Sequence, residues 1–404
     1  MKTGSESRKI RNGGKARLAR LVLWGLVFGT ACLAGLSRGT APPSPETAVS
    51  PSARPAAEFA EGQLPAKTKV DRTCSFSGVE KIVAVGDLHG AYDEFVEILK
   101  GTKIVEETEG KLHWAAGKTH LVQMGDIMDR GPGYPEKKGA RAIFDLIIDL
   151  EMEAAAAGGR VHMLIGNHEE MNILGLSFEV RDGVSVRQFK DFLPPKYYAA
   201  REKEYKAKAV GDGDLDRFLT QLMKDPSAQE EYKYFFNESY GRWIARHNAV
   251  VKINDIVFVH GGISEQYSSY TCDRLNALLS SELQRWIRGE QDFPLRMIRN
   301  DQGPLWYRDL AAVQDEEILK DEVDRILKNL GARAMVVGHT PSQYSISLNK
   351  LSRFDEKIWI IDTGIWMETG GTLGALIIEN GKFRVWPKDD GAAPEILRKQ
   401  GGNR

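Results

Sequence analysis

Cysteine is nearly missing from this chain, with three in 404 residues. None are spaced as Cys-x-x-Cys, so a thiolate zinc site is excluded. Cys32 falls in an N-terminal apolar run. Cys74 and Cys272 are left as either one disulfide or two unrelated buried thiols, since separation along the chain fixes no distance. An excess of one charge is missing too. Lys and Arg total 55 against 56 Asp and Glu, which removes the electrostatic basis for a broad nucleic-acid surface. No internal repeat is present, so a repeat architecture is not expected. A clear membrane span is also lacking: the apolar run at residues 21–36 is 16 long, whereas a span needs roughly 20.

That run follows a basic stretch carrying Arg8, Lys9, Arg11, Lys15, Arg17 and Arg20. The pairing reads as a secretory leader, with Gly29-Thr30-Ala31 as a small-residue cleavage site, or as an uncleaved anchor. Gly29 fits poorly with a lipidation signal at Cys32. Residues 38–69 are rich in Pro, Ala, Ser and Glu and read as a disordered linker. The expected organisation is therefore a signal peptide or anchor at 1–37, a linker at 38–69, one folded domain at 70–390 and a flexible tail at 391–404. The folded part is expected outside the cytoplasm, meeting a membrane only through the N-terminal segment.

Within the folded part, apolar runs rich in Val and Ile occur at 81–85, 121–124, 161–165, 256–259, 334–337 and 359–361. They are continuous rather than alternating, which suggests strands covered on both faces. Helical patterns lie between them, for example at 93–100 and 141–157, so the class is α/β. Residues 175–248 form a charged, helix-prone stretch, read as a helical insertion that either caps a site and chooses substrates or is a solvated excursion. Residues 273–330 are expected to be mostly helical.

Five of the apolar runs end in a short polar motif. These are Gly86-Asp87-Leu88-His89-Gly90, Gly125-Asp126-Ile127-Met128-Asp129-Arg130-Gly131, Gly166-Asn167-His168-Glu169, His260-Gly261-Gly262 and Gly338-His339-Thr340. Ligands of open α/β sheets bind beyond the carboxyl ends of strands, so motifs spread from Asp87 to His339 can converge on one edge. Each motif alone is a weak signal, and the ordered set is a strong one. Four of the eight histidines lie inside it; His113, His120, His162 and His247 do not and are assigned structural or surface roles.

The inventory suits phosphate ester hydrolysis on two metals. Paired divalent ions about 3.5–4 Å apart acidify a bridging water and clamp phosphate oxygens. Asp87 and His89, at i and i+2, can face one ion, and Asp126 is the candidate bridge. Asn167, His260 and His339 suit the second ion, neutral ligands that keep the net charge from repelling a phosphate. His168 sits beside the metals without needing to bind one, which suits a general acid held by Asp129. Arg130 offers a fork for phosphate oxygens.

The ordered motifs resemble the calcineurin-like metallophosphoesterase superfamily. Asp129-Arg130-Gly131 and Glu169 resemble its phosphoprotein phosphatase branch. Within that branch, Met171-Asn172, Val259-His260-Gly261-Gly262-Ile263-Ser264, Gly303-Pro304-Leu305-Trp306-Tyr307-Arg308, His339-Thr340-Pro341 and Ile361-Asp362-Thr363-Gly364 look like the Shewanella-like phosphatases. The similarity runs over roughly residues 79–387. It implies a four-layer fold, a central β-sandwich of mixed sheets flanked by helices, with the metals at one sheet edge. It places Asp87, His89 and Asp126 on one ion, and Asp126, Asn167, His260 and His339 on the other. His168 becomes the proton donor backed by Asp129, and Arg130 and Arg308 become phosphate clamps; Arg308 rests on the resemblance alone. Manganese is the expected metal, with iron or zinc as alternatives.

The activity implied is hydrolysis of phosphoprotein, with Ser/Thr and Tyr phosphates not separated. The alternative is a phosphohydrolase of small metabolites or dinucleoside polyphosphates on the same core. A third reading, an inert binding module, requires a lost ligand or acid, and none is lost.

Overall fold

Strands buried on both faces must find a layer for each face. In the computed structural model, which describes residues 70–131, 137–208, 215–342, 351–367 and 371–387, they do so as two sheets packed on each other. One sheet has the order β1 (Ser75–Phe76), β7 (Val250–Ile253), β8 (Ile256–Val259), β9 (Ala334–Val337), β11 (Ile358–Ile360), β10 (Ser352–Arg353). The other runs β13 (Lys382–Trp386), β12 (Ala375–Glu379), β2 (Lys81–Val85), β5 (His120–Gln123), β6 (Arg160–Met163). Both are mixed: β2, β5 and β6 run parallel, as do β8, β9 and β11, while β12 pairs antiparallel with β2 and β13, and β7 pairs antiparallel with β8 but parallel with β1. A separate hairpin joins β3 (Val105–Thr108) to β4 (Lys111–Trp114).

Side chains on successive strand residues point to opposite faces, and the two cores divide accordingly. Ile82, Ala84, Val122, Val251, Ile253, Phe258, Val336, Trp359, Leu376 and Ile378 form the apolar layer between the sheets. Val83, Val85, Leu121, Val161, Val257, Met335, Val337 and Ile360 turn outward into the core shared with the helices. Helix Ala140–Ala156 buries Ile143, Phe144, Ile147 and Leu150, and helix Cys272–Ile287 buries Leu275, Leu279 and Leu283. Each such side chain contributes about 1.5–3 kcal/mol by leaving water. The result is the four-layer sandwich that the family resemblance implies.

The six apolar runs are strands, with three boundary shifts. The runs at 121–124, 161–165 and 359–361 trail past β5, β6 and β11, because Met124, Leu164, Ile165 and Ile361 stay buried while the chain turns toward the sheet edge. The β12–β13 hairpin was not anticipated, although Asn380-Gly381 between the strands was legible. Both residues have positive φ, 50° and 75°, the geometry of the two-residue turn that Asn-Gly favours.

Between 175 and 248 the regular structure is helical: Val186–Asp191, Pro195–Lys208, Leu215–Leu222, Pro226–Phe236, Arg242–Ile244 and a π-turn at Asn237–Gly241. The stretch is not a solvated excursion. Phe189, Phe192, Tyr232 and Phe236 are fully buried, and Phe192 and Tyr240 pack on Phe144 of helix Ala140–Ala156. Residues 273–330 are less uniform than expected. An irregular segment follows helix Cys272–Ile287, and the Glu282 carboxylate holds it by accepting from the backbone N–H groups of Arg296, Met297 and Ile298.

Cys74 and Cys272 are joined as a disulfide, with Cα atoms 6.1 Å apart, tying the first strand to the start of a helix. No described helix is long and apolar enough to cross a membrane. The expected leader, linker and tail lie outside the described residues, the tail together with residues 388–390 of the expected domain.

Candidate metal centre

The loops leaving β2, β5, β6, β8 and β9 all turn at the same edge of the sandwich and carry the five motifs there. The turns are tight. His89, Asp126, Asp129, Arg130 and His339 all adopt left-handed backbone conformations, with φ between 43° and 66°. Each costs about 1–3 kcal/mol unless the surroundings enforce it. Close approach also demands glycine: a Cβ at Gly338 would lie 2.3 Å from Asp87 Oδ1, and one at Gly166 would lie 2.2 Å from Asp126 Oδ1.

Glu169 supplies much of the enforcement. Its buried carboxylate accepts from the backbone N–H groups of Asp126 (2.8 Å), Ile127 (2.8 Å), Met128 (3.2 Å) and Gly166 (2.9 Å). Burial raises its pKa and the nearby Asp126 charge adds to the rise, while these donors oppose it. Bonds to a charged acceptor are each worth about 1.5–3 kcal/mol, enough to hold two strained loops together.

Asp126 is central. His260 Nε2 lies 3.2 Å from its Oδ1, and His89 Nε2 and His168 Nε2 lie 3.7 and 3.9 Å from its Oδ2. Burial alone would raise its pKa, but the imidazoles of His260, His168 and His89 hold it well below the usual carboxylate range. His260 Nε2 also faces Asn167 Oδ1 at 2.9 Å and His339 Nδ1 at 3.1 Å. Asp87 stands on the other side, both oxygens 3.0 Å from the backbone N–H of His339. Its pKa is well above normal, first through burial and then through the charges of Asp362 and Asp126.

These features fit divalent cations. Three carboxylates, Asp87, Asp126 and Asp362, are buried close enough to perturb one another, which calls for positive charge among them. His89 Nε2 and His339 Nε2 are buried with no hydrogen-bond partner. His89 Nδ1 meets the carbonyl of Met128 at 2.7 Å and His260 Nδ1 that of Met124 at 2.8 Å. A backbone carbonyl on one ring nitrogen is the arrangement that aims the other at a metal. Two clusters of ligand atoms result, one of His89, Asp126 and His168, the other of Asp126, His260 and His339.

His168 differs from the other imidazoles of the cluster. Its Nδ1 donates to Asp129 Oδ2 at 2.8 Å, while Nε2 faces the cluster. Burial would lower its pKa, but Asp126 and Asp129 outweigh it and raise the value. Arg130 is half-buried, its guanidinium 4.8 Å from the ring of Trp366, which also packs on His89. Arg308 donates to the His339 carbonyl at 2.5 Å and to Thr340 Oγ1 at 3.2 Å. The structure thus brings all ten residues singled out from the sequence to one edge.

A family model of calcineurin-like phosphoesterases matches residues 80–343. The chain belongs to that family. It is a hydrolase acting on phosphate esters. It is 25% identical to Shewanella-like protein phosphatase 1 of Plasmodium berghei over 72% of this chain and 68% of that one. The crystal structure of the cold-active protein-tyrosine phosphatase of a psychrophilic Shewanella species is similar at 28% identity and a TM-score of 0.58, over 82% of this chain and 86% of that one. A symmetrical bis(5'-nucleosyl)-tetraphosphatase of Escherichia coli is 24% identical over 76% of this chain and 94% of its own length.

Several residues of the site were not assigned a role from the sequence. Asp362 follows β11 as the motif residues follow their strands, so its signal was present. Ser177 and Gln188, which bond Asp129, and Tyr232, which bonds Gln188 behind it, sit in helical or turn sequence with no motif to mark them.

Proposed function

We propose that this chain is a phosphomonoesterase acting on phosphorylated protein side chains, with two divalent cations, manganese first among them. The observation that carries the reading is the His168–Asp129 pair set beside the double ligand cluster. Asp87, His89 and Asp126 would hold one ion, and Asp126, Asn167, His260 and His339 the other. When bound, paired ions supply a nucleophile at neutral pH and neutralise phosphoryl charge. The residues do the rest. Arg130 and Arg308 orient the phosphoryl oxygens, and a bidentate fork fixes geometry as well as charge. As the ester P–O bond breaks, His168 Nε2 passes its proton to the leaving oxygen; Asp129, accepting from Nδ1–H, stabilises the doubly protonated imidazolium that carries it.

Trp306 and Trp366 flank the cluster, with rings 6.0 Å from His339 and 5.1 Å from His89. Two aromatic rings beside the cluster favour a phenyl ester, in line with the name of the Shewanella neighbour. The nucleotide reading is supported by the similarity to the tetraphosphatase. We also place the folded part outside the cytoplasm; the Cys74–Cys272 disulfide supports this, because such bonds persist in oxidising compartments.

The test is a turnover comparison on the full chain with Mn²⁺, using phosphoserine, phosphothreonine and phosphotyrosine peptides against dinucleoside polyphosphates. Phosphotyrosine peptide is expected to be cleaved best. Preferential cleavage of the dinucleotide would replace the protein substrate with a metabolite.

A further inference from the structure

Asp129 is held from the helical region, outside the sheets. Its Oδ2 accepts from His168 Nδ1 and from Ser177 Oγ, both at 2.8 Å. Its Oδ1 accepts from Asn172 Nδ2 and Gln188 Nε2, both at 2.9 Å. An ionised carboxylate has about four acceptor sites, so every one is filled. Gln188 also grips the backbone, its Oε1 accepting from the Asp129 N–H at 2.6 Å. Behind it, the Tyr232 hydroxyl accepts from Gln188 Nε2 at 2.8 Å and donates to Asn172 Oδ1 at 2.9 Å.

We propose that Gln188 and Tyr232 are positioning residues for the reaction, holding Asp129 so that His168 presents Nε2 to the leaving group from one fixed place. The proposal rests on the phosphoesterase reading with His168 as proton donor. Gln188 lies on helix Val186–Asp191 and Tyr232 on helix Pro226–Phe236, neither of which carries a motif residue. Tyr232 cannot shift easily. Its ring stacks on Phe189 and Phe236, and the edges of Phe178 and Phe192 close the sides. Burial, with the Asp129 charge adding to it, keeps the hydroxyl proton on Tyr232 far above its ordinary range. Asp129, Asn172, Gln188 and Tyr232 are all buried, so no water competes for these bonds. Networks of this kind gain most when fully satisfied and lose most when one member goes.

A positioning role makes a specific demand. Protonation matters most for a poor leaving group, so the damage must depend on the ester. Gln188→Met, Tyr232→Phe and, as a reference, His168→Asn would be assayed in the full chain on phenyl phosphate and p-nitrophenyl phosphate. The two esters have rings of one shape, but phenol, with a pKa near 10, is the worse leaving group. The loss of kcat on phenyl phosphate is expected to exceed the loss on p-nitrophenyl phosphate by about tenfold for Gln188→Met and about threefold for Tyr232→Phe. Metal content should stay unchanged. The His168 Nδ1–H resonance, followed by proton NMR, should shift or broaden in both variants.

Equal losses on the two esters, or unaltered kinetics with an unaltered resonance, would overturn the proposal alone. A wild-type chain inert on both esters would sink the phosphoesterase reading and this proposal with it. Should Gln188→Met fail to fold, Tyr232→Phe, which removes a single oxygen, decides the matter.

Discussion

The sandwich edge and the helical region 175–248 solve different problems with different kinds of residue. The edge concentrates ligand atoms: Asp87, Asp126, Asn167, His260 and His339 come from five strand ends, with left-handed backbone at His89, Asp126 and His339. Among the described residues, the helical region contributes no charged side chain to the bonds around Asp129. It offers neutral Gln188 and Tyr232, locked among aromatic rings, and through Asp129 it sets the angle of one imidazole. On the proposed reading, the edge decides whether cations and phosphate bind, and the helices decide how well the proton is delivered. The two can be perturbed separately.

The largest expected effect breaks the link between them. His168→Asn should retain both metals yet slow turnover by about 10²–10⁴-fold; metal analysis beside a kinetic assay reads both, and full activity would remove His168 as the acid. Next comes the scaffold of the edge itself. Glu169→Ala strips the acceptor from four backbone N–H groups, and an unmet buried donor costs about 1–3 kcal/mol. Denaturant unfolding should show a loss of at least about 3 kcal/mol, together with weakened metal retention. A variant as stable as the parent would mean the strained loops hold themselves.

The disulfide tests the comparison from a distance. Replacing Cys74 and Cys272 by Ser should lower stability by about 2–4 kcal/mol, since the bond closes a separation of 198 residues. Catalysis should not change, because neither cysteine touches the edge or the helices behind Asp129. Altered kcat in the folded variant would argue against that independence.

The smallest effect concerns pH. His120 is held at about 4 rather than its ordinary 6.5, first by burial and then by the charge of Arg160. It pairs with His162 at 3.0 Å, whose pKa burial also pushes well down. In the unfolded chain both would titrate near 6.5, so between 6.5 and about 4 the unfolded state binds more protons. Stability from this pair is therefore present above that window and lost as pH falls through it. Comparing the pH dependence of unfolding in wild type and His120→Phe checks this, and an identical slope would discard it.

The strands, the α/β class and nine of the ten edge residues were legible because local chemistry marks them; Arg308 came from the family resemblance alone. Continuous Val and Ile runs announce strands buried on two faces, and a polar motif after each run needs no knowledge of the partner strands. Asp362 carried the same mark after β11 without being given a role, and Asn380-Gly381 announced a hairpin that the reading passed over. Gln188 and Tyr232 are different. In sequence, Gln188 is 59 residues from Asp129 and Tyr232 is 44 from Gln188. Nothing in Val186–Asp191 distinguishes a glutamine facing a buried carboxylate from one facing water.

By itself, then, the sequence determined which residue types stand at the ends of which strands, and so which chemistry is available. Burial on two faces dictates the strand runs, and the glycines beside the motifs permit the turns. Tertiary structure alone decided which sheet each strand joined, that Cys74 meets Cys272, and which distant neutral side chains close around Asp129. Those outcomes depend on contacts between residues far apart in the chain, and local composition encodes such contacts only weakly.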